Sequence, residues 1–302
     1  MDVEKIKELV KILKEKDNFL VVTHVGYDPD ALSSLISVGL ILKSLKKKFS
    51  LFLDIKIKEE FEWVLSILKE KIIEKIDNDY ENFIIVDSES YQRIPLIVQN
   101  LSKNKFKILI DHHKTNHFDC DFNLVFSQAV STAHIIFYLA RELEIKNKEL
   151  ANLLLLGILG DTLRLTVEFD NDILIEVLNI LKELVSWGAD WNFINNNLLL
   201  RPFDELRKIS EVILKVNKES DDIFWVKIEG NSINIPTNMF VNALNRIREA
   251  KVIIVFVPTD KDLRIHFRSK GNIDVAELAQ KYFNGGGHKN ASGGRLSMKL
   301  DE

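Results

Sequence analysis

The sequence predicts an α/β protein, with a mainly parallel sheet covered by helices and then a smaller α/β domain. Three observations predict it. Short apolar runs alternate with stretches of helical periodicity through the first half of the chain. Those runs are apolar almost throughout, as strands buried on both faces are. From about Asp222, after a long helical interval, a second set of strand-like and helical segments begins.

The opening "MDVEKIKELVKILKEK" is an amphipathic helix rich in both signs of charge. It has neither a long apolar core nor a small-residue cleavage site, so it does not read as a signal peptide. "NFLVVTH" (Asn18–His24) is a strand, "DALSSLISVGLILKSLKKK" a helix, "FSLFLDI" a strand and "EEFEWVLSILKEK" a helix. "NFIIVD" (Asn82–Asp87) and "FKILID" (Phe106–Asp111) are strands separated by a short helical segment around "RIPLIVQNL". Past Ser131 the pattern is helical through "STAHIIFYLARELEI", "NKELANLLLLGILGDTL", a run from about Asp172 to Leu200, and "RPFDELRKISEVILKVN". In the last third "DIFWVKIE", "KVIIVFVP" and "LRIHFRS" read as strands, and "NMFVNALNRIREA" and "VAELAQKYF" as helices. These patterns divide the chain into a domain over 1–190, a helical linker over 191–204 and a second domain over 205–302, with an active site expected in the cleft between the domains.

Composition narrows the function classes. The chain has 302 residues, 46% hydrophobic and 28% charged, enough for buried cores in a soluble globular protein. No apolar run reaches the roughly 18–20 residues of a membrane span. One cysteine, Cys120, leaves no internal disulfide and no cysteine-cluster zinc site, so a cytoplasmic location is the default expectation. A net charge of −4 speaks against a non-specific grip on long nucleic acid, while a short phosphate-bearing ligand held by local cations stays open.

Three predicted strands end on a side chain able to bind metal: His24, Asp87 and Asp111. Ligands of open parallel sheets bind outside the carboxyl ends of the strands, so these endings should converge. An Asp or His after one strand is ordinary turn chemistry; three, with further acids just beyond, are not. In "THVGYDPDALSS" the Asp28-Pro29-Asp30 spacing lets one carboxylate reach the cation of His24 and the other a neighbouring cation, although Asp30 also suits a helix N-cap. "ILIDHHKTNHF" offers His112 as a ligand, Asp111 to orient an imidazole, and His113 to contact phosphate or act as acid. In "LLLLGILGDTLRL" Asp161 follows two glycines that permit close backbone approach, with a helix C-cap at Gly160 the plainer reading. Together His24, Asp28, Asp30, Asp87, His112 and Asp161 suit two divalent cations about 3.5–4 Å apart, sharing a carboxylate and a bridging water. Oxygen and imidazole ligands favour Mn²⁺, with Mg²⁺ or Co²⁺ as alternatives.

Further on, "RIHFRSK" sets Arg264, His266 and Arg268 on alternate positions of one strand, and "NGGGHKNASGG" supplies a glycine-rich loop with His288. Gly285, Gly286 and Gly287 expose backbone N–H groups able to cradle an anion. His117 and His134 read as structural or surface residues.

In order along the chain, "HVGYDPDA", "VDSES", "DHH", "GILGDT", "RSK" and "GGGHKNASGG" resemble the motifs of the DHH phosphoesterase superfamily and its DHH-associated C-terminal domain. The resemblance implies metal ligation by His24, Asp28, Asp30, Asp87, His112 and Asp161, with support from Asp111 and His113. It implies substrate binding by Arg268, Ser269 and Gly285–His288, and sets Arg164, Ser131 and Thr132 at polar family positions. Tyr27 stands where the first motif often has proline, free to alter the turn or stack on a base. The two-domain length is similar to the branch that cleaves short oligonucleotides, linear dinucleotides or 3′-phosphoadenosine 5′-phosphate. A RecJ-like single-strand exonuclease and a non-catalytic nucleotide-binding module are the alternatives. A homodimer is compatible with all of these.

Overall fold

Every residue of β1 (Phe19–Val22) and β4 (Asn82–Val86) is buried, because both faces of the sheet they centre are covered. The structure is a computed structural model describing residues 2–113, 118–167, 169–228, 237–259 and 262–297, with the backbone alone at 70, 237, 238 and 288. The chain divides into two compact units, Met1–Leu200 and Arg201–Glu302.

The first unit runs α1 (Val3–Glu15), β1, α2 (Pro29–Ser44), β2 (Phe49–Phe52), α3 (Leu65–Leu68), β3 (Ile72–Ile73), β4, α4 (Leu96–Leu101), β5 (Phe106–Asp111), β6 (Phe122–Val125), α5 (Thr132–Glu142), α6 (Lys148–Asp161), α7 (Asn171–Ser186) and α8 (Trp191–Leu199). Its six strands are all parallel, in the order β3-β2-β1-β4-β5-β6. The order reverses between β1 and β4, the switch point where doubly wound sheets open a crevice at their carboxyl ends. Phe19, Val21, Ile84, Val86, Ile108 and Ile110 turn to one face, under α1, α2, α5 and α6. Leu20, Val22, Phe83, Ile85 and Leu109 turn to the other, under Tyr80, Ile94, Val98 and Phe118.

Helix starts follow local capping chemistry. Asp2 accepts from the N–H groups of Glu4 and Lys5, Ser131 from His134, and Asn147 from Leu150. The sequence 59–71 has no such cap at its start, and in place of one helix it forms a 3₁₀ turn (Glu59–Val64), the four-residue α3 and a second 3₁₀ turn (Lys69–Lys71). β3 and β6 are strands that periodicity did not announce, one of two residues and the other of four.

Helix α2 is buried from Asp30 to Leu42, enclosed by the sheet, α5 and α6. Small residues make this approach possible. A Cβ on Gly157 of α6 would lie 2.4 Å from Ser33 Oγ and 2.5 Å from both Ala133 Cβ and Asp30 Oδ1. One on Gly160 would lie 2.7 Å from Pro29 Cβ. Gly160 is therefore an inner residue of α6 at a helix crossing rather than a C-cap.

The second unit runs α9 (Phe203–Ile213), β7 (Asn217–Lys218), β8 (Ile223–Lys227), α10 (Thr237–Leu244), β9 (Val252–Pro258), β10 (Asp262–Ser269), α11 (Val275–Tyr282), β11 (Gly286–His288) and β12 (Ala291–Ser297). Its sheet has the order β11-β12-β10-β9-β8-β7, antiparallel except for the β8–β9 pair. Ile253, Val255 and Val257 pack against α9 and α10, and Ile265 and Phe267 against α11. The glycine-rich segment is not a loop but the edge hairpin β11–β12. A Cβ on Gly285 would fall 1.9 Å from the Gly293 carbonyl oxygen, so bare backbone is what lets the strands close. Among the described residues no helix is long and apolar enough to cross a membrane.

Two outcomes follow. Gly157→Ala should lower unfolding free energy by about 1–3 kcal/mol in denaturant melts, since overpacking outweighs the roughly 1 kcal/mol gained in helix propensity. On α7, Glu176 accepts from His134 Nε2 at 3.3 Å and from the Tyr138 hydroxyl at 2.5 Å, and the His134 bond leads in pulling its carboxyl from 4.5 down to about 2. A depressed carboxyl stabilises fully above pH 4.5 and loses its contribution as pH falls toward 2. The stability gap between wild type and Glu176→Gln should therefore close across that window.

Candidate metal centre

The residues after β1, β4 and β5 meet at the switch point. His24 lies two residues past β1, Asp87 directly follows β4, and Asp111 and His112 end β5 and begin the next turn. Asp87 is held in the left-handed region, φ 54°, while its N–H still donates to the Ile110 carbonyl at 3.0 Å. This twist aims its two carboxylate oxygens at different imidazoles. Oδ2 is 3.9 Å from His24 Nε2, and Oδ1 is 3.6 Å from His112 Nε2.

Two donor clusters form around that carboxylate. His24, Asp28 and Asp87 bring ligand atoms within 4.8 Å of one another, as do Asp30, His112 and Asp161. A third set joins Asp87 and His112 to His113. His24 Nε2 is 3.8 Å from Asp28 Oδ2, and His112 Nε2 is 3.1 Å from Asp161 Oδ2. The other ring nitrogens face main-chain carbonyls: His24 Nδ1 lies 3.0 Å from Val25 O, and His112 Nδ1 lies 3.3 Å from Ala129 O. An N–H donated there leaves each Nε2 lone pair for the cluster, the arrangement that supports imidazole ligands.

Helix α5 supplies further support. The Thr132 and Ala133 N–H groups donate to Asp30 Oδ2 and Oδ1 at 2.6 and 2.9 Å. The Thr132 hydroxyl donates to Asp87 Oδ1 at 2.9 Å, and Ser131 caps the same helix. The N-cap of α2 is Asp28, which accepts from Ala31 N–H at 3.0 Å; Asp30 points instead to α5. Tyr27 turns into the core, where its hydroxyl donates to the Lys56 carbonyl and accepts from Lys58 N–H, so it is not placed to stack on a base.

Crowding shapes the electrostatics. Burial, then the negative charge of Asp161, pushes Asp30 up to about 7; burial with Asp30 and Asp28 does the same to Asp87. Burial lifts Asp161 to about 6 against the opposing pull of His112. Burial alone would lower His24, but Asp28 and Asp87 outweigh it and raise the ring to about 9. Carboxylates that hold protons so far above their ordinary range suit divalent cations, and an oxygen and imidazole donor set without thiolate suits hard or borderline ones. The residues thus fit a pair of such ions.

Asp111 is buried and accepts from His113 Nδ1 at 2.7 Å. On the far side of that ring, Glu89 Oε2 is 3.3 Å from His113 Nε2, Glu89 Oε1 accepts from Arg93 Nη1 at 3.1 Å, and Arg93 Nη2 is 3.3 Å from His24 Nδ1. Sequence reasoning passed over Glu89 and Arg93. Their signal was an acid and a base four residues apart directly behind Asp87. Arg164 lies in a run of three left-handed residues, Leu163 to Leu165, just past α6.

In the second unit, Arg268 is half-buried and donates to the Phe267 carbonyl at 3.0 Å. Ser269 projects to the opposite face of β10, where its hydroxyl donates to the Ile273 carbonyl at 2.6 Å and accepts from Asn290 at 2.9 Å. That hydroxyl fixes a turn and is not presented beside Arg268. Gly286 and Gly287 lie in the edge hairpin, with Gly285 just before it; His117 and the side chain of His288 lie outside the described residues.

Mn²⁺ should raise the melting temperature, by the equivalent of about 2.7 kcal/mol at a hundredfold excess over Kd. Binding must displace protons from Asp161, Asp30, Asp87 and His24, so affinity should climb as pH rises from about 6 to about 9, with proton release in calorimetry. Asp87→Asn, which tolerates the left-handed backbone, should lose most of the shift.

Comparison with known proteins matches both parts of the chain. Residues 18–158 match the N-terminal domain of the DHH family, and residues 210–302 match the DHHA1 domain. The bifunctional oligoribonuclease and PAP phosphatase NrnA of Bacillus subtilis is 24% identical over 304 residues, spanning 96% of this chain and 92% of its own. The Thermus thermophilus protein of the same name is 26% identical over 312 residues, spanning 99% and 91%. An exopolyphosphatase-related protein from Bacteroides fragilis shares the fold with a TM-score of 0.86 at 23% identity, over 98% of this chain and 92% of that one. A DHH domain with its strand-end histidines and aspartates, followed by a DHHA1 domain, makes this chain a member of the DHH family.

Proposed function

We propose that this chain, a hydrolase of phosphate esters, acts on short oligonucleotides and on 3′-phosphoadenosine 5′-phosphate at a centre for two divalent cations, with Mn²⁺ preferred. The observation that carries the reading is Asp87, whose two oxygens face His24 and His112 separately. Asp87 so placed would help to hold two ions, one with His24 and Asp28 and the other with Asp30, His112 and Asp161. Two relatives named bifunctional oligoribonuclease and PAP phosphatase, alignable over nearly their whole length, support the substrate class.

When bound, such a pair supplies an activated water and neutralises charge on a phosphoryl oxygen. The chain's own residues do the rest. Thr132 fixes the rotation of Asp87, and the N-terminus of α5 holds Asp30. Asp111 accepts from His113 Nδ1–H and so sets the direction of the ring. His113 then offers Nε2–H to the leaving oxygen, with Glu89 holding that nitrogen between turnovers. Arg268, a half-buried cation without an acidic partner among the described residues, binds a phosphate that does not react.

Product chromatography with Mn²⁺ tests the reading on three substrates: a 5′-phosphorylated dinucleotide, 3′-phosphoadenosine 5′-phosphate and a long single strand. Mononucleotide and AMP should form, with little attack on the long strand. Asp87→Asn should abolish turnover, and His113→Asn should lower kcat by about 10²–10⁴. Progressive degradation of the long strand would instead favour the RecJ-like alternative, and no product with cation bound would favour a binding module.

A further inference from the structure

Arg268 has company on its strand. Side chains alternate along β10, so Arg264, His266 and Arg268 share one face. The antiparallel register sets Arg295 of β12 directly opposite Arg264, and Gly293 opposite His266, with Gly286 of β11 next across the sheet. Like charges directly opposite on neighbouring strands destabilise a sheet. Among the described residues a single carboxylate answers both guanidiniums: Asp262 is 3.9 Å from Arg264 Nε and 3.9 Å from Arg295 Nη1, beyond hydrogen-bond length in each case. The uncompensated charge is felt nearby. Burial, then Arg268 and Arg264, push His266 down to about 4, so the ring is neutral at physiological pH.

Beside these cations the surface is lined by glycine. A Cβ on Gly293 would press on the Ile265 carbonyl oxygen at 3.3 Å, whereas one on Gly286 would meet nothing nearer than Gln280 Nε2 at 3.9 Å. Packing within the unit accounts for Gly285, whose added Cβ would strike the Gly293 carbonyl oxygen, but not for Gly286. Fork-shaped donors next to partly exposed main chain without side chains are what a phosphodiester needs to approach closely.

We propose that Arg264, His266 and Arg295 form a second phosphate subsite along β10 from Arg268, taking a further backbone phosphate of a short oligonucleotide. The inference rests on the reading of the chain as a phosphoesterase for such substrates. Two-residue steps of roughly 6.6–6.8 Å separate Arg264 from His266 and His266 from Arg268. 3′-Phosphoadenosine 5′-phosphate has one phosphate besides the reacting one, enough for Arg268 alone. A 5′-phosphorylated trinucleotide has two, and reaches both subsites. The subsite therefore discriminates by substrate length.

The test uses the full chain and the double variant Arg264→Gln/Arg295→Gln. Both side chains are more than half exposed, at 54% and 65%, and the change removes a repulsion, so the variant should melt no lower than wild type. The ratio of KM for the 5′-phosphorylated trinucleotide to KM for 3′-phosphoadenosine 5′-phosphate should rise about tenfold or more, and the salt slope of trinucleotide binding should flatten by about one to two. Arg264→Lys/Arg295→Lys should keep the slope. An unchanged ratio, or equal weakening of both substrates, overturns the subsite. Trinucleotide affinity is measured separately in the Asp87→Asn background, where turnover is blocked whether or not the cation is held. If wild type turns over neither substrate yet this affinity falls about tenfold with the two arginines gone, the phosphoesterase reading fails and the subsite stands. If the trinucleotide binds equally well without them, or not at all, the subsite falls whatever the activity.

Discussion

Asp30 and Asp87 are buried beside Asp28 and Asp161, and like charges so close repel strongly where water is excluded. Burial first, and that repulsion second, is why three of the four carboxyls hold protons well above their ordinary range. Divalent cations relieve that repulsion better. The rest of the first unit follows from the need to keep these groups together: a parallel sheet whose strand ends converge, and helices packed tightly enough to deny solvent to Asp30 and Asp87.

The centre is tied into the core at one point above all. Asp30 starts in α2, yet it receives the first N–H groups of α5, and Gly157 of α6 leaves room for its carboxylate. Three helices thus meet on one charged side chain. An unpaired helix N-terminus buried in a core would be costly, and so would an unpaired carboxylate; each satisfies the other. Stability and chemistry share atoms here, so substitutions at Ser33, Ala133 or Gly157 act on both.

The strand-end positions of His24, Asp87 and Asp111 could be read from sequence because topology does the work: parallel strands end on the same side, whatever lies between them. The capping role went to Asp28 rather than Asp30, since the partner of Asp30 is a hundred residues away and local spacing says nothing of it. Tyr27 in the core and Ser269 on the far face of β10 likewise depend on tertiary surroundings. The Glu89–Arg93 pair drew no notice in the sequence because only the fold brings His113 and His24 beside it. The glycine segment read as a loop because β-propensity disfavours glycine; only the proximity of Gly293 makes it a strand.

Asp87 shows how few solutions such a position admits. Its backbone is left-handed, a conformation comfortable for glycine and tolerable for asparagine and aspartate. Glycine has no ligand atom, and asparagine has one oxygen where the proposed centre needs two. Glutamate, equally anionic, is disfavoured by the backbone. Steric and coordination requirements are independent filters, and aspartate alone passes both. To transplant this centre onto another scaffold, a designer would have to copy the turn at the end of β4 along with the ligands, because the direction of both oxygens is set by a main-chain angle.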